Sequence, residues 1–192
     1  MKARYEFIHA AEDTVAYLKN CPCISTWVPF NEGWGQFDSA KIAAYVKELD
    51  PTRLIDSVSG WHDQGRKNTT MRSLHTYYTP LRVPRDPRPV VLSEFGGYSK
   101  KVQGHVFDEE KEFGYKVFQT EEGLLLGLKT LYLKKLKPLI KKGLCAAVYT
   151  QVSDVEEEIN GLFTYDRAHC KVPVKEMKKI MDEIKVEAEK VK

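Results

Sequence analysis

The sequence predicts an α/β fold built on a parallel β-sheet. Short β-prone runs alternate with segments whose apolar residues recur every three to four positions, as strands and helices do when they follow one another along a chain. Several strand runs are almost wholly apolar, which is typical of strands covered on both faces. The chain has 192 residues, of which 42% are hydrophobic and 30% are charged, so it is long enough for one domain with its own core.

The predicted strands are separated along the chain by helices or long loops. β-prone runs predict strands over residues 24–30, 54–58, 73–78, 89–95 and 144–150. Apolar periodicity predicts helices over residues 4–19, 39–49, 120–142 and 174–189. Asp38 or Ser39 is expected to cap the second helix. A polar loop from Gly60 to Arg72 and a mobile loop before residue 120 are expected between these elements.

Polar side chains stand where the predicted strands end: Glu32, His75, Tyr77, Glu94 and Gln151. In a (β/α)8 barrel the chemistry lies at the carboxyl ends of the strands. A doubly wound sheet is the main alternative, but it normally has a glycine-rich phosphate turn after its first strand. Here residues 31–34, with the sequence Asn-Glu-Gly-Trp, follow that strand and suit a sugar better. The sequence therefore favours a barrel.

Two of these residues, Glu32 and Glu94, have the chemistry that cleavage of a glycosidic bond requires. One carboxyl group gives a proton to the leaving oxygen, and the other stays ionised and attacks the anomeric carbon. In retaining enzymes the two carboxyl groups are about 5–5.5 Å apart. Each glutamate alone is equally explained as a solvated loop residue or a helix cap. The tryptophans Trp27, Trp34 and Trp61 offer flat faces for a pyranose ring. Core packing is the alternative for each, and it is favoured for Trp27.

Four segments together resemble the glycoside hydrolases of family 2, which include β-galactosidases, β-glucuronidases and β-mannosidases. Residues 27–36 (WVPFNEGWGQ) resemble the strand-4 acid/base motif, and residues 91–97 (VLSEFGG) resemble the strand-7 nucleophile motif. Residues 74–77 are similar to the strand-6 segment, and residues 149–166 to the strand-8 segment. The motifs occur in the family's order, and the resemblance extends from about residue 5 to residue 184.

The resemblance implies a role for each residue at the strand ends. Glu32 would be the proton donor and then the general base, and Glu94 the nucleophile. Asn31 would bind the 2-hydroxyl of the sugar, and Tyr77 would keep Glu94 ionised and oriented. The other substrate-binding residues would be Trp34, Trp61, His75 and Gln151. A structural hydrogen bond for His75 and core packing for Tyr77 are the alternatives.

The resemblance also implies that residues 1–192 form a partial (β/α)8 TIM barrel corresponding to strands 4–8 with their helices. Strands 1–3 and the β-sandwich domains that precede the barrel in this family are expected to be absent. An open series of strands has two exposed edges. The chain is therefore interpreted in three ways: as a fragment of a longer enzyme, as one partner of a second chain or a homo-oligomer that completes the barrel, or as a remnant without activity.

The expected substrate is a β-linked neutral sugar, with a β-galactosidase-like specificity. Glucuronidases of this family carry an Asn-x-Lys motif that pairs with the sugar carboxylate, and this sequence contains no such triplet. A truncated, non-catalytic carbohydrate-binding or assembly module is the alternative function.

Composition argues against several other classes of protein. A formal net charge of +3 without a basic-aromatic patch does not favour nucleic acid as a partner. The sequence contains no run of about 18 apolar residues, so no membrane span is predicted. No signal peptide is evident, and a cytoplasmic protein is expected. Free and mostly buried thiols are expected at Cys21, Cys23, Cys145 and Cys170. No metal and no cofactor is expected.

Overall fold

The computed structural model describes residues 2–62 and 68–191, which form two compact units. The first unit comprises the described residues up to His75 together with Arg85–Ser93. The second comprises Thr76–Pro84 together with the described residues from Glu94 onward. Residues 63–67 of the predicted polar loop lie outside the described part of the chain.

The strands are separated by helices or by loops, and six strands from residue 54 to residue 117 follow one another with no helix between them among the described residues. The helices are α1 (Lys2–Leu18), α2 (Ser39–Leu49), α3 (Glu121–Lys129), α4 (Lys137–Ile140) and α5 (Val174–Glu189), with a π-helical segment over Thr130–Leu136. The strands are β1 (Thr26–Trp27), β2 (Phe30–Asn31), β3 (Leu54–Ile55), β4 (Val58–Ser59), β5 (Arg72–Thr76), β6 (Val90–Gly96), β7 (Tyr98–Ser99), β8 (Lys116–Val117) and β9 (Leu144–Thr150).

In the first unit the strands pair in parallel, but the predicted strands 24–30 and 54–58 are each divided in two. β1 pairs with β3, and β2 pairs with β4. Pro29 lies between β1 and β2, and it has no N–H group to donate to a ladder. Individual backbone hydrogen bonds extend the two pairs. Asp56 N donates to the Trp27 carbonyl (3.0 Å), and Glu32 N donates to the Ser59 carbonyl (2.8 Å).

The core of the first unit forms where α1 and α2 cover these strands. Its buried residues come from both helices and from all four short strands: Val15, Trp27, Phe30, Ile42, Ala43, Val46, Ile55 and Val58. The Trp27 indole donates to Asp50 Oδ2 (3.0 Å), which satisfies its one polar group. The expectation that Trp27 packs in the core is confirmed.

Asp38 stands at the N-cap of α2, one of the two positions expected, but without the expected side-chain hydrogen bond. Its backbone is left-handed there (φ 42°). Its carboxylate instead accepts from Arg4 Nη1 (3.4 Å). Ser39 is the first residue of α2, and its buried hydroxyl has no partner among the described residues. The long-range contact with Arg4 is not visible from the local pattern.

In the second unit, β7 pairs in parallel with β8, with Tyr98 beside Lys116 and Ser99 beside Val117. A mobile loop was expected before residue 120, and this pair was not predicted, because two-residue strands are too short to show an alternating pattern. The predicted helix 120–142 is correct in extent but not uniformly α-helical, since its middle is π-helical over Thr130–Leu136. Pro138 stands in the first turn of α4, where its missing N–H is tolerated.

Thr120 is expected to stabilise the start of α3. Its hydroxyl oxygen accepts a hydrogen bond from Gly123 N (3.0 Å) at the N-cap position. Thr120→Ala should therefore lower the free energy of unfolding by about 1 kcal/mol, whereas Thr120→Ser should keep most of the stabilisation that the cap provides. Urea unfolding of both variants and the parent measures the difference. Equal stability of Thr120→Ala and the parent would contradict this assignment.

β9 differs from the covered strand that its apolar sequence predicts. Leu144 is buried, but the next four residues are exposed, and no described element covers Val148. Cys145 is exposed for the same reason. The four cysteines are free, as expected, but none is buried: Cys23 and Cys145 are exposed, and Cys21 and Cys170 are half-buried. The prediction of mostly buried thiols is therefore wrong.

The described residues confirm an α/β architecture with parallel strand pairs joined by helices. Each sheet that they form is open, and none closes into a barrel. Among these residues no helix combines the length and the apolar character needed to cross a membrane.

Candidate active site

The residues that the sequence analysis selected are distributed over both units. The first unit holds Asn31, Glu32, Trp34, Trp61 and His75, and the second holds Tyr77, Glu94 and Gln151. Each unit holds one of the two glutamates, and a neighbouring side chain is hydrogen-bonded to it. The neighbour is His75 for Glu32 and Tyr77 for Glu94.

Glu32 follows directly after β2 and is held by His75. The Glu32 carboxylate and the Nδ1 atom of His75 are 2.7 Å apart, with the imidazole fully buried and the carboxyl group 18% exposed. The backbone of Glu32 is left-handed (φ 51°), a conformation that costs free energy in a non-glycine residue. The turn that begins there continues through Gly33, which also has positive φ.

The other nitrogen of His75 belongs to a chain of hydroxyl groups. Nε2 lies 2.9 Å from Ser59 Oγ, Ser59 Oγ lies 2.8 Å from Ser93 Oγ, and Ser93 donates to the Leu74 carbonyl (3.5 Å). We infer that Ser59 donates to Ser93, so that the Ser59 oxygen accepts from His75 and Nε2 carries a proton. Gly60 allows this packing, since a Cβ atom there would lie 2.6 Å from the ring.

This arrangement leaves one proton between Glu32 and Nδ1 of His75. With Nε2 protonated, a 2.7 Å contact is made either by a protonated Glu32 and a neutral imidazole or by a carboxylate and an imidazolium. Both forms keep a transferable proton beside the carboxyl group. That is what a general acid needs before it protonates a leaving group.

The protonation of His75 can be measured directly. Long-range ¹H–¹⁵N NMR spectra should show a proton on Nε2 of His75, assigned by loss of its signals in His75→Gln. Ser59→Ala removes the acceptor and should shift the imidazole towards the Nδ1-protonated form. Ser25→Ala, which removes an exposed hydroxyl remote from His75 in sequence, is the control and should change nothing. A neutral His75 protonated only on Nδ1 in the parent would contradict the proposed direction of the chain.

The other selected residues of the first unit are open to solvent. Trp34 is 78% exposed and Trp61 is 50% exposed, while Asn31 is also exposed. The Trp61 ring centroid lies 6.2 Å from that of His75. Both indoles therefore have faces free to stack on a sugar, in contrast to Trp27, and the sugar-binding roles remain predictions.

In the second unit Glu94 is held by Tyr77. The Tyr77 hydroxyl donates to Glu94 Oε2 and lies 3.1 Å from Thr150 Oγ1. Burial, reinforced by the hydrogen bond to Glu94, raises the pKa of Tyr77 well above its usual value. Tyr77 therefore stays protonated and remains a donor to the carboxylate, which holds Glu94 in one orientation.

Tyr115 supports Tyr77 from one side, and the sequence analysis did not select it. The two rings stack with centroids 3.8 Å apart and planes 5° apart. Gly97 lies against both rings, because a Cβ atom there would come within 2.3 Å of Tyr115 and 3.0 Å of Tyr77. Gly97 also has a left-handed backbone (φ 61°), so a side chain at this position would be strained.

Gln151 follows β9 and is fixed by the loop that returns towards it. Its amide donates to Asn160 Oδ1 (2.7 Å) and to Glu158 Oε2 (3.1 Å). Ser59, Thr150 and Tyr115 are the contact residues that sequence reasoning missed. Thr150 could have been noticed because it precedes Gln151 at the same strand end, but no local signal distinguishes Ser59 or Tyr115.

Comparison with known proteins identifies the family. Residues 2–186 match the family model described as glycosyl hydrolases family 2, TIM barrel domain. The comparison with curated proteins gave no match.

Solved structures support the same fold. A β-glucuronidase of Faecalibacterium prausnitzii superposes with a TM-score of 0.58 at 16% identity, over 95% of this chain and 35% of that one. A β-D-glucuronidase of Dictyoglomus thermophilum gives a TM-score of 0.60 at 16% identity, over 93% and 35%. A β-glucuronidase of an uncultured Clostridium species gives 0.56 at 14% identity, over 95% and 36%. This chain thus spans about a third of the length of these proteins.

The family match covers nearly the whole chain, and the superpositions agree with it. The resemblance drawn from the four motifs is confirmed: the chain belongs to family 2 of the glycosyl hydrolases and matches their TIM-barrel domain.

Proposed function

We propose that this chain carries the catalytic glutamates of a retaining β-glycosidase, with Glu32 as proton donor and Glu94 as nucleophile. The observation that carries the proposal is the hydrogen bond from Tyr77 to Glu94, because it holds a carboxyl group in a fixed orientation near the end of a strand. Family membership supports it independently. Within this proposal the strands correspond to strands 4–8 of the family's barrel.

The proposed reaction has two displacements. In the first, Glu94 attacks the anomeric carbon while Glu32 protonates the leaving oxygen, which forms a covalent glycosyl ester on Glu94. In the second, Glu32 takes a proton from water, and the water oxygen replaces Glu94 at the anomeric carbon. Two inversions restore the original β configuration.

The neighbours of the two glutamates have matching roles in this scheme. His75 shares a proton with Glu32, so it positions the acid and keeps its proton available. Tyr77 holds Glu94 in its attacking orientation. Asn31 is proposed to bind the 2-hydroxyl of the sugar, an interaction that strengthens in the transition state.

The proposed substrate is a β-linked neutral sugar, and a β-galactoside is the first candidate. The absence of an Asn-x-Lys triplet from the sequence supports a neutral sugar over a uronate. The solved proteins of similar fold are glucuronidases, but at 14–16% identity they bear on the fold and not on the choice of sugar.

The proposal is tested with aryl β-glycosides. The chain is incubated with the galactoside, mannoside, glucoside and glucuronide, and ¹H NMR records the first product anomer. We expect hydrolysis of a neutral glycoside with the β-anomer formed first. An α-anomer as first product, or hydrolysis of the glucuronide alone, would contradict the mechanism or the substrate class respectively. Failure to hydrolyse any of the four would reject catalysis by this chain.

The exposed tryptophans favour one alternative, a non-catalytic carbohydrate-binding or assembly module. Trp34 and Trp61 offer free faces whether or not a bond is cleaved. That function predicts sugar binding by calorimetry without hydrolysis of any glycoside. The exposed residues of β9 suit assembly with a second chain or a second copy, and light scattering of the purified chain would show a monomer if no such assembly forms.

A further inference from the structure

The second unit contains a cavity of about 530 Å³ that Glu94 does not line. This volume is in the range of pockets that hold small molecules. Four tyrosines and two lysines contribute to its walls: Tyr77, Tyr78, Tyr98, Tyr115, Lys116 and Lys135. It therefore combines flat aromatic faces with positive charge, outside the residues proposed for catalysis apart from Tyr77.

The charge in the cavity has one sign. The described residues of its wall include Lys116 and Lys135 but no aspartate or glutamate. Neither lysine forms an ion pair with any residue that the structure describes. The Lys116 ammonium lies 5.2 Å from the centre of the Tyr98 ring and 5.0 Å from that of Phe118, which fixes its side chain over two aromatic faces. Two unpaired ammonium groups at one cavity attract an anion.

Tyr98 supplies an unused hydrogen-bonding group. Its side chain is only 7% exposed, yet within the described part of the chain its hydroxyl has no hydrogen-bond partner. Burial raises the pKa of Tyr98, so the hydroxyl remains a donor at neutral pH. Because no described residue accepts from this hydroxyl, it is available to donate a hydrogen bond to a ligand in the cavity.

The remaining wall suits a ring that carries hydroxyl groups. Tyr77 and Tyr115 form a stacked pair, and Tyr78 stands edge-on to Tyr115 at 5.3 Å. Tyrosine faces pack against the apolar face of a pyranose, and the hydroxyls of Thr76 and Thr79 add polar contacts along the same wall.

We propose that this cavity binds a monosaccharide with one anionic group, held between Lys116 and Lys135 and stacked on the tyrosines. The site is separate from the proposed catalytic glutamates and does not depend on their activity. Because Tyr77 lines the cavity and also donates to Glu94, an occupant would contact the residue that orients the proposed nucleophile.

Calorimetry on the full chain tests the proposal with free sugars, which have no glycosidic bond to cleave. Glucuronate and glucose 6-phosphate are the anionic probes, and their relative affinities distinguish a carboxylate from a phosphate. Glucose tests whether binding needs a charge, and benzoate tests whether it needs hydroxyl groups. Inorganic phosphate tests whether it needs a ring. The variant Lys116→Met/Lys135→Met removes both ammonium groups. Lys111→Met/Lys134→Met removes the same net charge from exposed lysines that do not line the cavity.

We expect at least one anionic sugar to bind about tenfold or more tightly than glucose, and the Lys116→Met/Lys135→Met variant to lose about tenfold or more of that affinity. The Lys111→Met/Lys134→Met control should retain it. Tyr98→Phe should weaken binding without loss of thermal stability, since its hydroxyl has no protein partner. Any one of three results would overturn the proposal. Glucose could bind as tightly as both anionic sugars, or the Lys116→Met/Lys135→Met variant could keep its affinity. Benzoate or phosphate could also bind as tightly as the sugars.

Discussion

Replacement of Glu94 by glutamine is expected to lower kcat/KM for an aryl β-galactoside by about 10⁴-fold or more, because an amide does not attack the anomeric carbon. The substitution is nearly isosteric, and the glutamine carbonyl can still accept the hydrogen bond from Tyr77. The fold should therefore be preserved while the chemistry is lost. Initial rates with the purified parent and variant measure the effect, and circular dichroism confirms that both are folded.

A matched control separates catalysis from a general effect of charge. Glu122 is an exposed carboxylate in the first turn of α3, in the same unit as Glu94. Glu122→Gln should leave kcat/KM within about twofold, since surface substitutions of this kind change little. If Glu94→Gln retained a tenth or more of the parent activity, the role of Glu94 as nucleophile would be wrong.

Lys171→Met is expected to produce the largest loss of stability, about 3–5 kcal/mol in the free energy of unfolding. The Lys171 ammonium and Asp154 are both fully buried, with Nζ 2.7 Å from Oδ1 and 3.0 Å from the Ile159 carbonyl. Burial lowers the pKa of Lys171 and raises that of Asp154, while the ion pair opposes both shifts. Removal of the lysine leaves a buried carboxylate, whose Oδ2 already has no described partner.

A second substitution tests this explanation. Asp154 Oδ1 also accepts from Gly161 N (2.8 Å), and asparagine keeps this bond while it removes the charge. Lys171→Met/Asp154→Asn should therefore recover about half of the lost stability. Without Lys171 the folded-state pKa of Asp154 rises further above its unfolded value, so Lys171→Met loses stability as pH rises. The stability that Lys171→Met lacks relative to the parent should therefore be smaller at about pH 5 than at pH 7. Urea unfolding at both pH values decides this. A deficit independent of pH, or no recovery in the Lys171→Met/Asp154→Asn variant, would contradict the buried-charge account.

The ion pair also bears on the proposed substrate contacts. Lys171 donates to the Ile159 carbonyl, and the neighbouring Asn160 holds the Gln151 amide. The sequence analysis selected Gln151 at its strand end but did not identify Lys171. A lysine before a helix normally indicates a solvated surface, and only the return of the chain to Asp154 makes it a buried residue.

The elements with a strong periodic pattern could be predicted closely, whereas those that depend on distant contacts could not. α2 and β9 have the predicted limits, because each is defined by its own apolar pattern. The burial of β9 was predicted wrongly, since a strand sequence does not reveal which neighbours cover its faces. Asp38 was expected to cap α2 for local reasons, and its contact with Arg4 in α1 prevailed.

The candidate site shows the same division. Glu32 and Glu94 could be selected because each follows or ends a β-prone run within a motif, and their catalytic roles stay predictions. Their supporting residues were predicted only in part: Tyr77 was assigned to Glu94, and a structural hydrogen bond was one of two alternatives for His75, but its partner Glu32 was not predicted. Ser59 became recognisable only through the pairing of β2 with β4, which brings it beside Asn31.

The most direct measurement of the central proposal is covalent trapping of the nucleophile. A 2-deoxy-2-fluoro β-galactoside with an activated leaving group slows the second displacement, so the glycosyl ester accumulates and peptide mass spectrometry locates it. We predict one fluorogalactosyl adduct, on the peptide that contains Glu94, and none in Glu94→Gln. An adduct on Glu32 or on any other residue, or no adduct after prolonged incubation, would contradict the proposal that Glu94 attacks the sugar.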